Sequence, residues 1–175
     1  MNKKYNISIV LFDDRRINLC LDSAYAPKTV AHFVELVKQN FFDGTIFHRV
    51  IENFMIQTGG YMIEDNTLMP MPDCPTIEGE FASNGFDGNS LKHELGVIAM
   101  ARPGDKNGAS SQFFLCSATC PWLDGEYAAF GYASDEESKE IILELSKIET
   151  GVLDPRLFTD FPVEIIGVKH IDLLG

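Results

Sequence analysis

The sequence predicts a mainly β protein, a closed eight-stranded antiparallel β-barrel capped by two α-helices. Roughly eight short segments alternate between apolar and polar residues, which is typical of half-buried strands. Only two stretches show the apolar spacing of a helix. Because strands and helices do not alternate along the chain, a parallel sheet is disfavoured. The 175 residues suit a single domain, 1–175, and no linker or internal repeat divides them.

The amino-terminal part of the sequence predicts a hairpin followed by the first helix. Residues 5–12 alternate, Asp13-Asp14 suit a turn, and residues 17–21 alternate again on a returning strand. Pro27 is expected in the first helical turn, where its missing N–H costs nothing. The helix is expected to end near Asn40.

The middle of the chain contains a second hairpin and then a long irregular segment. Residues 47–60 predict a strand, a short turn and a second strand that ends in a glycine pair. Residues 61–93 are rich in proline, glycine and asparagine and have little periodicity, except for a possible short strand at 80–82. A loop of this length is expected to be functional or to pack on itself.

The last part of the sequence predicts four further strands and the second helix. The strands are expected at 96–101, 112–116, 127–132 and 163–171. Ser134 and Glu137 fit a capping box that would begin the helix. Ile141, Leu145 and Ile148 would then form its apolar stripe.

Charge and composition exclude several classes of partner. A net charge of −12 repels phosphate backbones and anionic lipids, so neither nucleic acid nor membrane is an expected partner. The four cysteines lack a partner pair at zinc-finger spacing, so no metal is expected, and a reducing, cytoplasmic location is the simplest account of them. Because no strong unpaired apolar surface is evident, we expect a monomer.

A single arginine in the second hairpin is the first candidate for chemistry. Arg49 lies between apolar residues and is followed by Phe54, Met55 and the amide of Gln57. A cation and an amide beside an apolar surface suit a polar backbone group next to an apolar side chain, and a prolyl peptide bond is such a target. The segment alone fits equally well a plain hairpin whose arginine pairs with an acidic residue on the surface. His48 should point to the opposite face and be structural.

Four sequence blocks, in order, resemble the cyclophilin family of peptidyl-prolyl cis/trans isomerases over nearly the whole chain. They are residues 47–51 with 54–57, 96–101, 110–114 and 122–125. The stretch from 79 to 94 is similar to the bacterial cytosolic subgroup. The resemblance implies an eight-stranded antiparallel barrel with two helices, isomerase activity without a cofactor, and proline-containing peptides and unfolded proteins as substrates.

The resemblance also implies a set of site residues. It marks Arg49 as the catalytic residue. The residues implied to bind substrate are Phe54, Met55, Gln57, Ala101, Arg102, Gln112, Phe114, Trp122, Leu123 and Tyr127. Trp122 matches the residue that contacts cyclosporin in sensitive members, which makes that drug a candidate ligand.

Three positions depart from the family pattern. Glu52 stands where the family usually has proline, which is expected to loosen the turn of the second hairpin. Arg102 replaces an asparagine at a position used mainly through its backbone, and Tyr127 replaces a histidine that many eukaryotic members carry. Because Arg49 is retained, we expect activity.

Three other functions remain as alternatives. The same pocket could serve a proline-recognition or chaperone module that has little catalysis. Residues 61–93 could dock a partner in a structural scaffold protein. A hydrolase is disfavoured, because no triad or metal set is visible; His93 beside Glu94 is expected to be a surface pair.

Overall fold

The computed structural model describes residues 2–175 and contains, within them, twelve strands and two α-helices. The helices are α1 (Pro27–Lys38) and α2 (Glu136–Ser146). The strands are β1 (Lys4–Leu11), β2 (Arg16–Asp22), β3 (Arg49–Ile51), β4 (Met55–Thr58), β5 (Tyr61–Glu64), β6 (Thr67–Pro70), β7 (Val97–Met100), β8 (Phe113–Cys116), β9 (Ala129–Ala133), β10 (Thr150–Gly151), β11 (Phe161–Pro162) and β12 (Val168–Leu174).

Eight of these strands form one curled antiparallel sheet in the order β12-β1-β2-β9-β7-β8-β4-β3. The end strands β12 and β3 are not paired with each other. Instead, the segments that precede β3 and β12 are joined by an isolated bridge between Ile46 and Gly167. Phe47 N–H donates to Ile166 O at 3.0 Å and Val168 N–H to Thr45 O at 2.7 Å. The eight-stranded antiparallel sheet with two helices is therefore confirmed, with its edges joined by a short bridge rather than a continuous ladder.

Helix α1 covers one end of the curled sheet and fills the main core. It begins at Pro27, as predicted, and buries the apolar stripe that its sequence indicated. The ring of Phe33 packs against Phe42, Phe113 and Phe130 at centroid distances of 4.9, 5.1 and 5.2 Å. Phe113 and Phe114 lie on opposite faces of β8, so that Phe113 joins this core and Phe114 faces the second apolar cluster.

The predicted capping box of the second helix is wrong by one residue. Ser134 is still part of the extended chain, because its N–H donates to Asn18 O at 3.0 Å. Asp135 caps α2 instead, with its carboxylate accepting from Ser138 N–H at 2.7 Å. Ile141 and Leu145 are buried as predicted, whereas Ile148 lies beyond the end of the helix.

Two predicted strands also differ from the structure. Residues 80–82 form no strand. A 3-10 turn, Ala82–Asn84, follows Phe81 and ends at Gly85, which adopts a left-handed backbone conformation with a φ of 81° that glycine tolerates without strain. The closing strand begins at Val168 rather than at residue 163. Before it, β11 pairs with β10 in a separate small sheet, and the ladder with β1 begins only at Val168, opposite Leu11.

The segment 61–93 is ordered and packs on the barrel. Its first part is the hairpin β5–β6, which the sequence analysis missed. Asp65 and Asn66 form its turn with φ values of 50° and 61°, a conformation that these two residue types tolerate better than most. Further along, Asn89 Nδ2 donates to Glu80 O at 3.0 Å and to Ala129 O at 2.8 Å, which ties the segment to β9.

Glu80 fixes the same segment to the start of α1. Its side chain is buried, with 2% of the residue exposed. The Oε1 atom accepts from Thr29 N–H at 2.6 Å and from the Thr29 hydroxyl at 2.7 Å. The carboxylate thereby satisfies a free donor in the first helical turn, where the helix dipole favours negative charge.

Replacing Glu80 with Ala is expected to lower the free energy of unfolding by about 2 kcal/mol, because two buried donors of Thr29 lose their acceptor. Urea unfolding followed by circular dichroism measures the change. Glu78→Ala is the matched control: Glu78 pairs with Lys28 on the exposed surface next to the same turn, and its loss is expected to matter little. Equal losses in both variants would contradict the role given to Glu80.

An exposed apolar patch was not expected from the sequence. Its residues lie on the segment around β10 and β11; they are Val152, Leu153, Leu157, Val163 and Ile165. The premise on which the monomer was predicted is therefore wrong, although the monomer itself stays a prediction. No helix within residues 2–175 combines the length and the apolar character that a membrane crossing needs.

Candidate active site

One cavity of about 110 Å³ opens on the outer side of the barrel, beside β3, β4 and β8. Nine of the eleven residues marked in the sequence surround it. They are Arg49, Phe54, Met55, Gln57, Ala101, Arg102, Phe114, Leu123 and Tyr127. The resemblance thus picked out residues from separate segments that the fold does bring together.

The polar side of the cavity is formed by three side chains that are connected by hydrogen bonds. Arg49 on β3 lies opposite Gln57 on β4, since the two residues pair in the antiparallel register. Arg49 Nη1 donates to Gln57 Oε1 at 3.3 Å, and Gln57 Nε2 donates to Gln112 Oε1 at 2.8 Å. The guanidinium of Arg49 also lies 5.9 Å from the ring centroid of Phe54. These contacts orient the arginine without enclosing it.

The glycine pair Gly59-Gly60, directly after β4, leaves room for these three hydrogen-bonded side chains. Gly59 has a φ of +89°, and a Cβ there would collide with Ser111 O. A Cβ on Gly60 would lie within 2.6 Å of the Gln112 side chain. Glycine is therefore needed at both positions: at Gly59 to clear the Ser111 backbone, and at Gly60 to leave room for the Gln112 side chain.

Arg49 has no carboxylate within 4.0 Å in the part of the chain that the structure describes. Other arginines of the protein do have such a partner: Arg15 pairs with Glu144 and Arg16 with Asp172. The alternative in which Arg49 is a surface ion-pair residue is therefore not supported. Most of its donors remain available to a ligand.

The apolar side of the cavity is built by the second core cluster. Met55, Phe114 and Leu123 are buried and belong to that cluster. The Tyr127 ring meets Phe114 edge-on, with centroids 5.9 Å apart and planes at 81°. Phe54 is partly buried at the mouth of the cavity, on a turn closed by Phe54 N–H donating to Ile51 O at 3.2 Å. The turn forms although Glu52 takes the place of proline.

The two remaining predicted residues lie next to this cavity. Gln112 lines a second, larger cavity of about 470 Å³, which shares Gln57, Ala101 and Arg102 with the first. Trp122 is 60% exposed, and its ring lies 5.8 Å from that of Phe54. Pro103, Gly108 and Ser110 also line the second cavity and were not singled out in the sequence; the turn-forming composition of that loop gave no sign of a site.

His93 is not a surface residue, contrary to the prediction. Only 1% of it is exposed, and it pairs with Asp124 rather than Glu94. Asp124 Oδ1 lies 2.7 Å from the His93 backbone nitrogen and 2.9 Å from its Nδ1. Burial lowers the pKa of His93, and its ring stacks on Phe114 at 6.1 Å. The pair thereby holds the loop of Leu123 against the apolar wall.

His48 points away from Arg49 into the protein, as predicted. It is 6% exposed and its ring meets Tyr61 at 4.8 Å. Burial, followed by the positive charge of Arg49, lowers its pKa to about 4. A neutral imidazole therefore lies directly behind the strand that carries Arg49.

Among the described residues, the potential metal ligands of the protein, its histidines, cysteines and carboxylates, do not cluster. Across residues 2–175, no three His, Cys, Asp or Glu side chains are arranged to hold a metal ion. The four cysteines are free thiols; Cys20 and Cys116 are buried, and burial raises the pKa of Cys116.

Comparisons with known proteins agree with the geometry. The family model described as cyclophilin type peptidyl-prolyl cis-trans isomerase/CLD matches residues 7–170. Peptidyl-prolyl cis-trans isomerase A of Dickeya dadantii is 37% identical over 161 residues, which are 90% of this chain and 79% of that protein. Peptidyl-prolyl cis-trans isomerase cyp18 of Streptomyces antibioticus is 35% identical over 171 residues, 91% of this chain and 93% of that protein.

A similar solved structure is a cyclophilin type peptidyl-prolyl cis-trans isomerase of Cryptosporidium parvum. It superposes with a TM-score of 0.75 over 99% of both chains, at 23% sequence identity. A second structure of that protein, determined in the presence of the dipeptide Ala-Pro, has a TM-score of 0.74 over 97% of this chain and 99% of that one, also at 23% identity. This likeness concerns the fold, and it agrees with the sheet and two helices described above.

Proposed function

Because the chain belongs to the cyclophilin family of peptidyl-prolyl cis-trans isomerases, we propose that Arg49 stabilises the twisted X-Pro amide while the apolar cavity grips the proline ring. The observation that carries the proposal is the position of Arg49 at the edge of that cavity, with no carboxylate of residues 2–175 within 4.0 Å. A cation and a proline-sized apolar space are what the reaction needs in one place.

The chemistry requires differential binding rather than bond breaking. An X-Pro bond prefers trans by only about 0.5–1 kcal/mol, yet its rotation barrier is about 18–20 kcal/mol. Resonance causes the barrier, and as the C–N bond twists, the nitrogen lone pair localises and becomes a hydrogen-bond acceptor. A guanidinium directed at that nitrogen binds the twisted state better than either planar state, which lowers the barrier.

Arg49 is suited to this step by its surroundings. The hydrogen bond to Gln57, itself held by Gln112, leaves the other guanidinium donors free. A guanidinium stays protonated throughout the physiological range and presents its donors in a rigid plane. The donors are therefore set before the amide twists, so that little reorganisation is needed in the transition state.

The apolar walls hold the ring while the carbonyl side rotates. Met55, Phe114 and Leu123 form the buried floor, and Phe54 and Tyr127 form the sides. Filling this space with a proline ring removes water from around Arg49 and strengthens its electrostatic effect.

The polar rim can hold the peptide chain on either side of the proline. The Gln57 amide offers both a donor and an acceptor to peptide groups, and the Ala101–Arg102 backbone lies across the cavity from it. Gln112 supports Gln57 from the second cavity, and Trp122 borders the mouth beside Phe54. We assign to these residues the binding of an extended segment, and to Trp122 the contact with cyclosporin.

Proline-containing peptides and unfolded proteins are the proposed substrates, with assistance to protein folding as the role. The Cryptosporidium relative was crystallised in the presence of Ala-Pro, a ligand of this class. The net charge of −12 argues against nucleic acid and anionic membranes as partners. A cytoplasmic location and a monomeric state are part of the same proposal.

Catalysis is tested by NMR exchange spectroscopy on a short Ala-Pro-Phe peptide with and without the protein. The expected result is a rate of cis/trans interconversion that rises in proportion to protein concentration. Peptide line broadening without faster interconversion would instead support the proline-recognition module. A pull-down partner whose binding survives peptide saturation and depends on residues 61–93 would support the scaffold alternative.

A further inference from the structure

The Arg102 side chain makes contacts that a residue used mainly through its backbone would not need. Its guanidinium carbon lies 4.7 Å from the ring centroid of Tyr127 and 5.0 Å from that of Phe81. Phe81 is 1% exposed and does not move easily, whereas Tyr127 is only partly buried. The cation therefore links a partly exposed cavity wall, Tyr127, to the buried ring of Phe81.

The same guanidinium also holds the backbone next to Tyr127. Arg102 Nη2 and Nε donate to Glu126 O at 2.8 and 3.3 Å, and Nη1 donates to Pro103 O at 3.1 Å. These bonds use the planar fork, while its face contacts the rings. A lysine could supply the charge but not the fork, and an asparagine could supply neither over this span.

Tyr127 is where these contacts meet the cavity. Its ring lines the cavity and packs edge-on against Phe114, another lining residue. The Tyr127 ring thus contacts both Phe114, which lines the same cavity, and the guanidinium of Arg102. The position of the ring, and hence the width of the cavity, depends on both.

We propose that Arg102 is a positioning residue that holds Tyr127 against Phe114 and so sets the fit of the proline ring. This inference rests on the proposed function, since it assigns Arg102 a role in binding the same substrate. Arg102 acts through Tyr127 and takes no part in stabilising the twisted amide, which is left to Arg49.

The first test measures kcat and KM for the Ala-Pro-Phe peptide. Arg102→Asn is expected to raise KM about three- to tenfold, the size of a lost cation–π contact, with kcat changed less than about twofold. A wall that touches the proline ring in planar and twisted states alike contributes uniform binding, which appears in KM. Arg102→Lys should recover only part of the loss, and a full recovery would contradict the role of the fork.

A double-mutant cycle decides whether Arg102 acts through Tyr127. In a Tyr127→Ala background, Arg102→Asn is expected to leave KM unchanged, because the ring that it positions is gone. If the two substitutions raise KM by independent factors that multiply, Arg102 contacts the substrate or acts elsewhere, and the proposal is overturned.

A matched control separates the positioning of Tyr127 from a general loosening of the segment that follows Phe81. Lys106 Nζ donates to Ser83 O at 2.8 Å. It thereby anchors the 3-10 turn Ala82–Asn84, which directly follows Phe81, without touching Tyr127. Lys106→Gln should leave KM and the NMR shifts of the Tyr127 ring unchanged, whereas Arg102→Asn should move those shifts in the peptide-free protein. Equal effects of both substitutions would refute the proposal.

The ring shifts and the peptide Kd are measured in the same titrations as the rates. If the wild type binds peptide without accelerating exchange, the proposed catalytic function fails, but Arg102 is still tested through Kd. If catalysis is present and Arg102→Asn alters neither KM nor the Tyr127 ring shifts, only the inference about Arg102 fails.

Discussion

Replacing Arg49 with Ala is expected to lower kcat/KM for an X-Pro peptide by about 10²- to 10³-fold, the usual cost of removing one donor that acts in the transition state. Most of the loss should fall on kcat, because the guanidinium binds the twisted nitrogen and not the planar amide. The apolar walls of the cavity are unchanged in the variant, so the peptide should still bind.

Two further arginine variants sharpen this prediction. Arg49→Lys keeps a positive charge but loses the planar donor set, and should retain only part of the activity. Arg16→Ala is the matched control: Arg16 is an exposed strand arginine that pairs with Asp172 at 2.9 Å, far from the cavity in the sheet order. Its removal should leave kcat and KM unchanged.

The folded state must be intact for the comparison to be meaningful. Arg49 is exposed and its one side-chain hydrogen bond, to Gln57, is long at 3.3 Å, so Arg49→Ala should unfold at nearly the wild-type urea concentration. Full activity of a folded Arg49→Ala protein would disprove the assigned role. An equal loss of activity in Arg16→Ala would show that general charge, not position, matters.

Local sequence patterns predicted most of the fold, whereas the resemblance predicted the residues that line the cavity. Helix α1 could be predicted because Pro27 and the apolar stripe are both short-range features. The β3–β4 hairpin places Arg49 opposite Gln57 through its register alone. The resemblance then united segments that no periodicity connects, and nine of its residues surround one cavity.

The errors concern contacts between distant parts of the chain. His93 could as well pair with its neighbour Glu94 as with Asp124, and only the fold brings Asp124 to it. The stacking of Arg102 on Phe81 likewise depends on how the long segment 61–93 returns to the barrel. Burial and partner choice are tertiary properties, which a one-dimensional pattern of polar and apolar residues does not specify.

The second large effect is expected from His48 as the pH falls. The pKa of His48 is about 4 in the folded protein, chiefly because the ring is buried, and about 6.5 in an unfolded chain. Between these values the unfolded chain binds a proton that the folded protein does not. The stabilisation is therefore fully present above pH 6.5 and is lost as the pH falls toward 4, by about 3 kcal/mol in total.

A His48→Phe variant isolates this contribution. Phenylalanine can keep the edge contact with Tyr61 but has no proton to bind, so the free energy of unfolding should fall less steeply between pH 7 and pH 4. Carboxylates such as Asp135, whose pKa is lowered by hydrogen bonds from Ser138 and Asn18, destabilise both proteins alike on acidification and cancel in the comparison. Urea unfolding at several pH values gives both slopes.

His170 on β12, which is half-buried and whose Nε2 lies 3.3 Å from Asp172 Oδ1, provides the control for this experiment. His170→Gln should keep the steep loss of stability on acidification, because the variant retains His48 and its buried surroundings. If His48→Phe and the wild type lose stability in parallel, the imidazole behind Arg49 is not held neutral by burial. If their slopes differ as expected, acid will also weaken catalysis, since a protonated His48 would place a second positive charge beside Arg49 and disturb the strand that positions it.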